Sequence, residues 1–195
     1  MDRTHKFALG SLAFNIAFAV YHLVLGLVTS SWWLLTLCTY YLILSFVRFV
    51  VLRAKEKDSF VTKFTGVMLI ALSVPLLSTV IMSVISDRGT KYHEIIMIAI
   101  AAYAFTKITF ATVNLIKSRH SKSWKIITLR NISFADGFVS VFALQRSMLV
   151  SFEGMSDGEI QIMNAVIGSA VCVIVFLLGL NLLRHKKIMF KYLNN

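Results

Sequence analysis

Proline occurs once in these 195 residues, cysteine twice and acidic residues nine times, against 20 lysines and arginines. Cys38 and Cys172 both lie inside apolar runs, so neither a disulfide framework nor a zinc knuckle is expected, and packing is their ordinary role. Charged residues make up only 15% of the chain, hydrophobic residues 57%, and the mean hydropathy is +0.77, which excludes an ordinary soluble domain. A net charge of +11 would suit a nucleic-acid binder. The basic residues, however, gather in short clusters between apolar runs, which is the pattern of membrane orientation, and no nucleic-acid partner is expected. There is no Walker loop, Rossmann fingerprint, G-x-S-x-G or H-E-x-x-H, and His93-Glu94 lacks the second histidine of a zincin. Neither an enzyme nor a bound cofactor is expected.

What the chain does contain is six apolar runs, at 7–28, 32–52, 64–85, 95–116, 126–150 and 160–183. Each supplies the roughly 20 helical residues that cross a hydrocarbon core of about 30 Å. Lipid offers the backbone no hydrogen bonds, so such runs are helices, and they lack the strict alternation of an outer-membrane barrel. The expected fold is all-α: a polytopic membrane protein with six transmembrane helices in a single domain, 1–195. The first run is longer than a signal-peptide core of roughly 7 to 15 residues and is expected to be retained.

Of the 20 basic residues, 14 fall before the first run, between the second and third, between the fourth and fifth, and after the sixth. These places share one side of the membrane, so the positive-inside rule predicts cytoplasmic N- and C-termini, with the plasma membrane as the expected location. His5, His120 and His185 stand among these lysines and arginines, where anionic lipids are the expected contact. Ser156 followed by Glu159 predicts a capping box opening the last helix. Pro75, mid-way along the third run, predicts a kink that serves either packing or gating.

Ionisable groups inside the runs are costly in lipid and mark places where side chains satisfy one another or handle ions. Asp136 lies near the middle of the fifth run and Lys107 at a similar depth in the fourth. They read as a buried ion pair, either structural or coupled to ion movement. On the fifth helix Arg130, Ser133, Asp136 and Ser140 fall within roughly 120° of one another, forming a polar stripe. Tyr103, Lys107 and Asn114 lie on a comparable face of the fourth. Asn15 and His22 of the first helix complete the expected polar centre, with His22 either a hydrogen-bonded core residue or a ligand. Arg48 and Arg130, each about one turn from the cytoplasmic end of its helix, are expected to snorkel toward the headgroups.

Ser31-Trp32-Trp33-Leu34-Leu35-Thr36-Leu37 is matched by Ser123-Trp124-Lys125-Ile126-Ile127-Thr128-Leu129, at an offset of 92. The same offset carries the first three runs onto the last three in opposite orientation, an inverted 3+3 repeat of the kind found in secondary transporters. The stretch from Asn15 to Leu35, with His22, Gly26 and Ser31, resembles the opening of cation diffusion facilitator transporters. Residues 121–140 are similar to that family's entry into its fifth helix. The resemblance implies a small secondary transporter, with a homodimer among its expected associations; a non-transporting membrane subunit or scaffold is the alternative. It also implies a zinc site between the second and fifth helices, at positions corresponding to Tyr40, Leu44, Ile132 and Asp136. Only Asp136 is a metal ligand, so no metal site is expected there. No counterpart of the cytoplasmic metal-binding domain that follows the family's sixth helix is expected.

Overall fold

The computed structural model describes the backbone over residues 3–28, 30–54, 59–85, 94–118, 123–151 and 155–193, with most of the side chains inside those ranges. Among these residues there are six helices: α1 Arg3–Val28, α2 Trp32–Arg53, α3 Ser59–Ile85, α4 Glu94–Ser118, α5 Trp124–Ser151 and α6 Asp157–Leu193. Each predicted run lies inside one of them. The helices outrun the apolar runs because a backbone hydrogen-bond ladder does not stop where hydropathy does. In α6 the difference is largest, since its 37 residues continue ten past the expected end. That is about 55 Å of helix, more than a hydrocarbon core holds.

Five helices, α1, α2, α3, α5 and α6, contain segments long and apolar enough to cross a membrane. In α4 the apolar stretch among the described residues is the shorter Ala104–Ile116. The outward faces carry exposed large apolar side chains, among them Leu27, Val28, Phe60, Val74, Phe105, Ile162 and Val166. Such a surface is compatible with lipid contact, and the chain is an integral membrane protein.

Adjacent helices pack as α1 on α2, α2 on α3, α4 on α5, α5 on α6 and α3 on α6, while α2 and α3 also touch α5. The core lies between α2, α3, α5 and α6, where Leu44, Leu69, Leu72, Ile132, Phe142 and Val175 are fully buried. α3 and α6 meet backbone to backbone. A Cβ added to Gly179 would stand 2.8 Å from the Gly66 carbonyl oxygen, so only a residue without a side chain fits. Two hydroxyl bonds fasten α3 to its other neighbours: Thr62 to Thr128 of α5 and Thr79 to Thr36 of α2, both at 3.1 Å. α3 continues through Pro75, where the Ser73 hydroxyl donates to the Ile70 carbonyl at 2.6 Å and that of Thr79 to the Pro75 carbonyl at 2.8 Å.

The helix ends are closed locally. At the start of α6 the Ser156 N–H donates to Glu159 Oε2 at 2.9 Å and the Glu159 N–H to Ser156 Oγ at 3.4 Å, which is the expected capping box. The Lys125 ammonium donates to the carbonyls of Leu52 and Ala54 at 2.7 and 3.1 Å, placing positive charge at the C-terminus of α2. α1 ends differently. The Ser31 N–H reaches back to the Gly26 carbonyl at 3.0 Å, and Ser30 has φ = 51°. This is the left-handed terminator usually occupied by glycine, and a serine there costs about 1 kcal/mol. Ser30→Gly should therefore stabilise the protein by about 0.5–1 kcal/mol, seen as a higher melting temperature in detergent. A lower one would mean that the Ser30 side chain contributes more than its backbone strain costs.

Candidate functional site

Asp136 sits half-way along α5, which packs on α2, α3, α4 and α6 and is reached by a side chain of α1, so its carboxylate is open to side chains from several directions. Three helices deliver them. Lys107 of α4 donates from Nζ to Oδ1 at 2.8 Å; Asn15 of α1 donates from Nδ2 to Oδ2 at 3.1 Å; Arg48 of α2 donates from NH2 to the same Oδ2 at 3.4 Å. Serines tie the cations in place. Lys107 also donates to Ser140 Oγ at 2.8 Å, and Ser140 Oγ donates to the Asp136 backbone carbonyl at 2.9 Å, one turn back along α5. Arg48 donates to Ser133 Oγ at 3.4 Å and to Ser11 Oγ of α1.

Arg48 and Asp136 are both 0% exposed. Two cations thus share one carboxylate, Arg48 in a place screened from water and Lys107 at its edge with its side chain 13% exposed. Within the six apolar runs Asp136 is the only acid, against Arg48, Lys107, Arg130 and Arg146.

Local packing explains why the groups meet. Gly137, next to Asp136, faces α4: a Cβ there would lie 2.8 Å from Ile108 Cδ1 and 3.3 Å from Ile108 Cα. The missing side chain lets the α4 backbone approach beside Lys107. The Lys107 ammonium is 6.0 Å from the centre of the Tyr41 ring, a cation–π contact that helps hold its long side chain. Tyr40 is fully buried on the neighbouring position of α2, within electrostatic reach of Asp136 and Arg48. Among the described residues its hydroxyl has no hydrogen-bond partner.

The structure thus brings together Asp136, Lys107, Asn15, Ser133 and Ser140. His22 stands about two turns further along α1. Its Nδ1–H donates to the Phe18 carbonyl at 2.7 Å, and its ring packs against Phe18, Tyr21 and Tyr41. It belongs to an aromatic cluster that borders the centre through Tyr41, not to the network on Asp136. Arg130 is half-buried and takes no part in the network, and Asn114 lies two turns from Lys107. The side chains of Tyr103, His5, His120 and His185 lie outside the described residues.

The snorkelling expected of Arg48 is overturned. A guanidinium one turn from a helix end can reach the headgroups when it faces lipid, but Arg48 faces α1 and α5, where acceptors stand at hydrogen-bond distance. Arg146 was not foreseen at all. It is buried ten residues beyond Asp136 on α5, with its guanidinium 4.6 Å over the Trp33 ring. Beside it, Gln145 Nε2 donates to Asn164 Oδ1 of α6 at 3.4 Å. The excess of basic over acidic residues inside the runs was the available signal for both arginines.

The family's zinc site has no chemical counterpart here. Tyr40, Leu44 and Ile132 are buried core residues, and the groups on Asp136 are an amide and two cations, which repel a metal ion. Among the described residues no three His, Cys, Asp or Glu side chains form a metal-binding group.

A triad also changes what mutation should do relative to a simple pair. Asp136→Asn strands two buried cations and should cost about 3–5 kcal/mol, whereas Lys107→Met leaves a neutral Arg48–Asp136 pair and should cost no more than about 1–2 kcal/mol. Combining them should not rescue, because Arg48 remains without its carboxylate. Thermal unfolding of the three variants in detergent measures the order; rescue in the double variant would show that Arg48 does not share the charge of Asp136. No family model matches the chain, and no curated protein or solved structure is significantly similar to it, so its function must be argued from this centre.

Proposed function

We propose that the chain is a small secondary transporter, related in plan to the membrane domain of cation diffusion facilitators but with a charge triad where that family holds metal. The observation that carries this reading is the convergence of α1, α2 and α4 on one buried carboxylate near the middle of α5. Transporters bind their cargo at such a midplane junction between helices, and buried ionisable groups there are the ones that exchange partners during transport.

The offset of 92 lends support. It pairs Asn15 with Lys107, Leu44 with Asp136 and Arg48 with Ser140. Asn15 and Lys107 come from corresponding helices and bond the two oxygens of the same carboxylate. Exchanging the first three helices with the last three also turns α1·α2 into α4·α5 and α2·α3 into α5·α6, and leaves α3·α6 and α2·α5 as they are. Only the contact of α3 with α5 lacks a counterpart. An inverted 3+3 repeat produces this pattern, and with it α4 becomes a sixth span. The same proposal places both termini in the cytoplasm and the protein in the plasma membrane, with its basic inner loops on anionic lipids and a second copy of the chain as a partner.

A second reading, a non-transporting membrane subunit or scaffold, is favoured by the closure of the centre: Asp136 is sealed and both its oxygens are bonded. Flux decides between the two. In proteoliposomes tested with cations, anions and organic solutes, with and without a proton gradient, a transporter should move one class of solute; no movement of any would favour the scaffold. Orientation is tested separately by single cysteines labelled in intact cells. Positions in 87–91 and 153–159 should react from outside and those in 117–123 should not, and the reverse pattern would invert the topology.

A further inference from the structure

We propose that the centre binds a small monovalent anion, carried together with one proton taken up by Asp136. The inference rests on the transporter reading and names the cargo of that same site.

The chemistry of the converging groups is one-sided. Asn15 Nδ2, the Arg48 guanidinium and the Lys107 ammonium all offer protons, whereas the anionic acceptor they share is Asp136. A cation entering such a place meets two positive charges and one negative one. An anion meets donors from three helices. In the structure Asp136 itself fills the anion's role, with Lys107 on Oδ1 and Arg48 and Asn15 on Oδ2. It is an internal competitor tethered to α5.

Charge balance fixes the partner ion. With Asp136 ionised and Arg48 and Lys107 charged, the centre carries one net positive charge. If a proton adds to the carboxylate and a monovalent anion takes its place between the two cations, the centre again carries one net positive charge. A lone proton or a metal cation would raise the buried charge, and a lone anion would find its donors already taken by the ionised Asp136, whereas the joint exchange leaves the buried charge unchanged and frees those donors. A protonated Asp136 also becomes a donor, which adds to the anion's coordination.

The remaining ionisable groups do not upset this balance. Asp136 is bonded by Asn15 of α1, Arg48 of α2 and Lys107 of α4, and α2 also carries the buried Tyr40. The apolar run of α6 carries one such group, Cys172, and that of α3 has no ionisable side chain. His22 is engaged with the Phe18 carbonyl and lies behind Tyr41. The proton therefore has one acceptor in the centre, the carboxylate itself.

The test uses the full chain in liposomes, with nitrate and chloride as anion probes, rubidium and zinc as cation probes, a neutral sugar, and an interior pH dye. Nitrate or chloride should enter in response to an inward proton gradient, with one proton for each anion and no dependence on membrane potential. Lys107→Met, which keeps a neutral Arg48–Asp136 pair, should remain folded by its thermal melt but lose at least tenfold in anion uptake. Lys107→Arg should recover most of that loss. Uptake of rubidium, zinc or the sugar in place of the anions would overturn the anion assignment while leaving the transporter reading intact. Anion uptake without protons, or undiminished in folded Lys107→Met, would overturn the coupling or the site. Absence of flux for every probe from folded protein would overturn both readings.

Discussion

A carboxylate taken out of water is tolerated only where positive charge and hydrogen-bond donors replace its hydration, and in this protein the replacement comes from separate helices. Asp136 is held by Lys107 from one side and by Arg48 and Asn15 from the other. Each donor therefore links its own helix to α5. The bundle depends on this point because lipid provides little hydrophobic drive for helix association, so packing and polar contacts must specify which faces meet. Adding the second cation is what separates the centre from a simple ion pair: it leaves the site net positive and makes Asp136 the group whose loss is most damaging.

Around this centre the chain uses small and polar residues where backbones must come close. Gly137 lets α4 lie against α5 at the level of the Lys107–Asp136 contact, and Gly66 and Gly179 let α3 and α6 touch. Thr62 and Thr79, near opposite ends of α3, bond to α5 and α2 respectively. These fix α3 to the helices that hold the triad. Beyond the triad lies a further buried cation, Arg146 on Trp33, so the interior of the bundle is polar at more than one depth.

The helical, membrane-embedded character, the place of every helix and the capping box of α6 were legible in the sequence, because they follow from local quantities: apolar run length and a Ser-x-x-Glu spacing. That Asp136 and Lys107 need polar partners was legible for a related reason, since a charge in an apolar run is costly wherever it ends up. Tertiary structure alone decided which charges meet. Whether Arg48 turns outward to the headgroups or inward to Asp136 depends on how α2 is rotated against α1 and α5, and one turn of helix sequence is compatible with both. His22 and Asn15 share a face of α1, yet only Asn15 reaches the carboxylate, because about two turns of helix separate them. Single-residue patterns record the cost of a buried charge but not the direction from which it is neutralised; that direction is set by helix rotation and close approach, and these exist only once the helices have packed.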